Sequence, residues 1–299
     1  MNLPECLAKM KSPGEQRGPA CYGVMQIVVT SRCDEARCSN CTQLIQYRPV
    51  EDMTLANVKR AIDSVAEYPG VVGIFGGNPC LHADFDEISR YLSKRIPDQH
   101  RRGLWANNIN GHGPVIRDVY GYFNLNVHRS TAHADEIRRD LPGVKIWGEM
   151  EPSMHGPVLV AMSDLIPDES TRYELIAKCD VNQRWSPAMV QIDGELTGWF
   201  CEVAAAIAAV DCDGSLGVAP DAGWWRQAMP SFRDQVEMYC HDCGAPLRMA
   251  PRADSEYCDD ISERWKIQPA RGCARTTVVH SEVDGHCREL TDYLKLRGE

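Results

Sequence analysis

Between residues 22 and 165 the chain alternates apolar runs of strand length with amphipathic segments, five or six times over. YGVMQIVVTSRC, VVGIFGG, RGLWANN, YFNLNVH and GVKIWGEME read as strands, and VLVAM is a candidate sixth. Between them, TLANVKRAIDSVAEYPG places Leu55, Val58, Ala61, Ile62 and Val65 on one helical face, with Thr54 as its cap. DFDEISRYLSKRIP does the same with Phe85, Ile88, Leu92 and Ile96, and HADEIRRDL reads as a shorter helix. Such alternation calls for parallel strands joined by crossover helices, in an open sheet or a barrel. Either arrangement gathers functional groups at the C-terminal ends of the strands. The polar and glycine-rich pairs follow the strands as that rule requires: Arg32-Cys33, Gly76-Gly77-Asn78, Asn107-Asn108 and His128-Arg129.

Past about residue 175 the pattern changes. RWSPAMVQIDGELTGWFCEVAAAIAAV reads as two strands turning at Asp193-Gly194, then a helix. A loop, DCDGSLGVAPDAGWW, and a short helix, SFRDQVEMY, lead into CHDCGAPL. The last 50 residues show no clear periodicity before RELTDYLKL. The polar, Pro- and Gly-bearing start reads as a loose arm. The expected division is an arm at 1–20, a strand–helix unit at 21–175 and a cysteine-rich extension with its tail at 176–299.

Ordinary proportions of charged (25%) and hydrophobic (43%) residues exclude a disordered chain. A net charge of -10 argues against strong nonspecific nucleic-acid binding. No apolar stretch is long enough to span a membrane, and the start lacks the apolar core of a signal peptide. A reducing, cytoplasmic setting is therefore expected. There, 14 cysteines in 299 residues point to metal or iron–sulfur sites before disulfides.

Cys33, Cys38 and Cys41 form C-x4-C-x2-C directly after the first strand. Three thiolates from one loop leave an open coordination corner, whereas a closed structural site takes four protein ligands. The alternative is half of a zinc site, completed by Cys240 and Cys243.

Three cysteines after strand one, with IFGGNP after strand two, resemble the radical S-adenosylmethionine (SAM) family. The resemblance covers about residues 22–165. It implies a partial (β/α)6 TIM-type barrel whose three cysteines hold a [4Fe-4S] cluster with SAM on the fourth iron. Gly76, Gly77, Asn78 and Pro79 stand where the family's GGEP faces the SAM amino group. Ile146, Gly148 and Glu151 resemble the segment lining the adenine. Asn126 and His128 fall at the ribose position, and Arg129 and Ser130 are assigned to the carboxylate. The cysteine spacing is one residue longer than the common family pattern, and Asn40 replaces the usual aromatic. An external one-electron reductant of flavodoxin or ferredoxin type is implied as partner.

Cys179, Cys201, Cys240 and Cys243 resemble the Twitch or SPASM extension of such enzymes, in which a hairpin and nearby loops hold an auxiliary [4Fe-4S] cluster. A zinc knuckle at CHDCGAPL, with Gly244 allowing the bend, is the alternative, as is simple burial. Cys258 is a rival fourth ligand. Cys6, Cys21, Cys80, Cys212, Cys273 and Cys287 read as core or solvent thiols. His112 and His155 read as loop histidines, Trp224-Trp225 as core or lid, and Glu202 as a helix-start carboxylate. The expected function is radical SAM hydrogen abstraction from an unidentified small-molecule or nucleotide-type substrate, a peptide being disfavoured. A zinc-binding interaction module or an iron–sulfur carrier or sensor is the competing reading.

Overall fold

The computed structural model describes residues 1–15, 23–34, 38, 41–127, 131–147, 154–155, 157–184, 187–247, 252–253 and 262. The elements in chain order are α1 (Leu3–Leu7), β1 (Val24–Thr30), α2 (Leu55–Val65), β2 (Val71–Gly76), α3 (Phe85–Arg95), β3 (Arg102–Ala106), α4 (Gly113–Val119), β4 (Tyr122–Asn126), α5 (Thr131–Asp140), β5 (Ile146–Trp147), β6 (Met154–His155), α6 (Met162–Leu165), α7 (Glu169–Ile176), α8 (Asp180–Arg184), β7 (Ala188–Ile192), β8 (Glu195–Trp199), α9 (Glu202–Asp211), α10 (Arg233–Tyr239) and β9 (Arg252–Ala253). Seven strands form one open sheet in the order β5-β4-β3-β2-β1-β7-β8, and β6 pairs with β9 separately. Every pairing in the large sheet is parallel except β7 with β8. The fold is thus mixed α/β with a mostly parallel, unclosed sheet. No helix among the described residues is long and apolar enough to cross a membrane.

All residues of β1 and β3 are buried, as in a sheet covered on both faces. On one face Ile27, Ile74, Leu104 and Leu125 pack with Val58, Ile62, Phe85, Ile88 and Leu92 of α2 and α3. Thr54 caps α2 by accepting from the Asn57 amide, as its sequence predicts. The opposite face carries a smaller apolar layer of Val24, Val71 and Trp105, flanked by Phe75 and Tyr122. Trp105 lies flat there, stacked on Tyr122 with centroids 5.4 Å apart. Gly73 and Gly103 make room for it: a Cβ at either would come within 2.5 or 2.3 Å of its ring.

The hairpin at Asp193-Gly194 forms as expected, both turn residues having positive φ (50° and 82°). β7 runs parallel to β1 and extends the sheet. Gln191 fixes that junction, its Oε1 accepting from Asn57 Nδ2 at 2.7 Å and its Nε2 donating to Glu51 at 2.8 Å. α9 is buried from Glu202 to Val210, as its unbroken apolar run from Val203 to Val210 requires.

Three expectations change. The start is not a loose arm over its described part. Asn2 and Glu5 make a capping box around Pro4, and Leu3, Cys6, Leu7 and Met10 form a buried stripe. VLVAM is not a strand. Val160 N–H donates back to Pro157, and Val158 and Leu159 carbonyls accept from Gly244 and Ser262, so its apolar side chains are buried in a turn. Cys212 is disulfide-bonded rather than a thiol. Trp224 and Trp225 are buried core residues; a Cβ on Gly198 would meet the Trp224 ring at 2.8 Å. His112 Nδ1 sits 2.7 Å from Asp86, as a loop histidine does.

Candidate functional site

Parallel strands deliver their C-terminal ends to one edge, and the cysteine loop leaves β1 at that edge. The glycine turn after β2 is bonded to it directly. Gly77 N–H donates to Thr30 at 2.9 Å, and Asn78 N–H donates to the Arg32 carbonyl at 2.6 Å. Gly76 has φ 153°, and a Cβ there would lie 2.2 Å from the Thr30 carbonyl oxygen. A Cβ on Gly77 would lie 2.1 Å from the Arg32 oxygen and 2.9 Å from Cys33 Cβ. Gly76 therefore makes way for the end of β1 and Gly77 for the cysteine loop itself, where the sequence suggested only close approach of a ligand. Pro79 opens a short turn that Asn78 caps. Asp34, next to Cys33, is held from the ends of β2 and β3: Asn78 Nδ2 is 3.5 Å and Asn108 Nδ2 3.0 Å from its carboxylate.

Within the loop, Cys38 is buried, Cys33 and Cys41 are half-buried, and none is in a disulfide. Gln46 Nε2 donates to the Cys38 carbonyl. Arg32, Cys33, Asp52, Leu81 and Ala83 line an open cleft of about 590 Å³. On its wall Arg32 Nε pairs with Asp52 at 2.9 Å, and Thr30 Oγ1 donates to the same carboxylate at 2.5 Å. Burial works to raise the Asp52 pKa, but the Thr30 and Arg32 hydrogen bonds prevail and hold it below the usual value.

Alternation along β3 puts Asn107 on the Trp105 face, at the mouth. It is 3% exposed, and neither amide atom has a partner among the described residues. Gln43, beside Cys41, and two nitrogens of Arg48 are likewise buried without partners. Buried amides and guanidinium groups are costly to leave unpaired. With three thiols at the same edge, this unspent capacity fits a polar, sulfur-bound group there. Among the assigned SAM contacts, Asn126 pairs with Trp147, whereas Ile146 pairs with Leu125 and packs on the helix side. Trp147, 47% exposed, is thus the β5 residue on the Asn126 face. Sequence reading passed over Trp147, Asn107 and Arg48; alternation from Trp105 could have flagged Asn107. His128, Arg129, Ser130, Gly148 and Glu151 lie outside the described residues.

Cys179, Cys201, Cys240 and Cys243 come together across the C-terminal half. All four line one cavity of about 20 Å³, with Met10, Ile176, Phe200 and Tyr239 among its walls. Cys179 sits between α7 and α8, Cys201 caps α9, and Cys240 and Cys243 flank the turn after α10. Burial raises all four thiol pKa values, that of Cys243 to about 12, and Cys179, Cys201 and Cys243 push Cys240 further. The four thiols thus share one buried site, and four soft sulfur donors suit a cluster or zinc. Among the described residues no three His, Cys, Asp or Glu side chains converge closely enough for one metal ion. Gly244 owes its place to packing: a Cβ would meet the Pro157 carbonyl at 2.0 Å. Cys258 lies outside the described residues.

No family profile matches the chain, and no curated protein matches it. Among solved structures, BtrN in complex with AdoMet and 2-DOIA aligns with a TM-score of 0.49 and 14% identity, over 74% of this chain and 92% of that one. The open conformation of selenomethionine BtrN aligns with a TM-score of 0.39 and 12% identity, over 79% and 98%.

Proposed function

We propose that this protein is a radical SAM enzyme. The observation that carries the reading is the bonded pair of strand ends: a three-cysteine loop after β1 locked to the Gly76–Pro79 turn after β2, at the mouth of a parallel sheet. Cys33, Cys38 and Cys41 would hold a [4Fe-4S] cluster. When bound, the cluster supplies one electron that cleaves SAM to methionine and a 5′-deoxyadenosyl radical, which takes hydrogen from a substrate C–H bond. The chain's own residues orient and enclose. Gly76 to Pro79 shape the methionine end of the site. Asn126, with His128, Arg129 and Ser130, is assigned to ribose and carboxylate. Ile146, Gly148 and Glu151 are assigned to the adenine, with Trp147 paired to Asn126 beside them. Asn107 offers one donor and one acceptor to a polar ligand. The apolar Trp105 layer, on the sheet face that Asn107 shares, would help keep water away.

Cys179, Cys201, Cys240 and Cys243 would carry a second [4Fe-4S] cluster, closed by four thiolates and so an electron relay or structural post. The substrate is read as a small molecule or nucleotide-type compound. A low-potential one-electron protein reductant in the cytoplasm is the implied partner. Anaerobic reconstitution tests the reading: about eight irons per chain and 5′-deoxyadenosine formed from SAM are expected. Zinc without iron, and no SAM cleavage, would favour a zinc-binding interaction module instead.

A further inference from the structure

The segment leaving the cysteine loop holds a buried cation, Arg48, with two nitrogens unpartnered among the described residues. Arg48 is 6% exposed, and its Nε and Nη1 reach no acceptor among the described residues. Two acidic groups bias its charge, Glu51 and Cys41. Glu51 Oε1 is already engaged, accepting from Gln191 at 2.8 Å and from Gly194 N–H at 3.3 Å. Burial lowers the Arg48 pKa to about 10, which leaves it fully charged at neutral pH. Gln43, two residues after Cys41 in the chain, is 2% exposed with both amide atoms unpartnered among the described residues. A buried guanidinium with two nitrogens unpartnered among the described residues calls for an anionic partner.

We propose that Arg48 is a positioning residue for the group bound by Cys33, Cys38 and Cys41, donating N–H bonds to its sulfur and fixing by its positive charge the potential at which that group accepts an electron. The inference rests on the radical SAM reading. One electron arrives from a low-potential external donor, no proton accompanies it, and the bound cluster gains one negative charge. A fixed cation favours the more negative state, so Arg48 makes reduction easier.

The test is an EPR-monitored redox titration of the reconstituted full chain with dithionite, following the signal that changes on adding SAM. Arg48→Gln keeps a polar, hydrogen-bonding side chain, though a shorter one, and removes the charge; Arg48→Lys keeps the charge. Arg48→Gln is expected to disfavour reduction about tenfold, equivalent to about 59 mV more negative for one electron. Arg48→Lys should shift it by less than about threefold (under half that interval). Loss of the cluster from Arg48→Gln alone, with Arg48→Lys unshifted, also supports the charge requirement. An unshifted potential in Arg48→Gln, or cluster loss from both variants, overturns it and leaves the enzyme assignment standing. Absence of any SAM-responsive [4Fe-4S] signal in the unmodified chain overturns the radical SAM reading first.

Discussion

The amide nitrogen of Asn78 lies 2.6 Å from the carbonyl oxygen of Arg32, tying the turn after β2 to the residue that precedes Cys33. The two motifs are far apart in the chain and belong to different strands. Parallel pairing of β1 with β2, in register from Val24 and Val71, brings them side by side. The glycines of the turn are then needed for contact between protein segments as much as for any ligand.

Gly77→Ala tests that contact. Its new Cβ would collide with the Arg32 backbone, which cannot rotate away as a side chain would. The variant should lose about 1–3 kcal/mol of stability and the iron of the Cys33 site, read by urea unfolding and iron analysis. Retained iron and stability with weakened SAM binding would assign Gly77 to the ligand instead.

Replacing Cys33, Cys38 and Cys41 together with Ala separates the two cysteine groups. About four irons per chain should remain, held by Cys179, Cys201, Cys240 and Cys243, and SAM cleavage should vanish. One zinc and no iron would identify the second site as a zinc site; no metal would make it a buried thiol cluster.

Trp105→Ala should cost about 3–5 kcal/mol, because Gly73 and Gly103 leave a void that no neighbouring side chain fills. The denaturation midpoint measures it. Gly103→Val should be damaging for the opposite reason, since its side chain meets the Trp105 ring.

Asp52 gives an acid-limb prediction. Its carboxyl pKa is depressed in the fold, so its contribution is present above the unfolded value of 3.8 and lost as pH falls through the folded one. Being partly exposed, it should contribute up to about 1 kcal/mol. Asp52→Asn should therefore destabilise the protein modestly at pH 7, and the gap from the unmodified protein should close below pH 3.8. A gap constant with pH would show that the Thr30 and Arg32 bonds do not depend on the charge.

Five strands, the hairpin and the helices between them were legible because each is written in local periodicity: Leu55 to Val65 repeats at helical spacing, and Asp193-Gly194 marks its own turn. The N-terminal helix was also written locally, in Asn2, Pro4 and Glu5, but its polar flanks masked it. VLVAM was misread because a short apolar run looks the same in a buried turn as in a strand. Trp147 and Ile146 could be told apart only by register, since Leu125 had to be buried on the helix side before its partner's face was known.

The sequence by itself determined a mostly parallel α/β sheet and a three-thiol loop followed by a glycine turn, because strand period, helix period and short motif spacing are local properties. Only the tertiary structure decided that Gly77 packs on Arg32 and that β7 lies beside β1. It alone brought Cys179 into one cavity with Cys201, Cys240 and Cys243, and left Arg48 buried with donors to spare. Such contacts join segments distant in the chain. Their partners are chosen by how the whole sheet and its helices bury apolar surface, which no local window records.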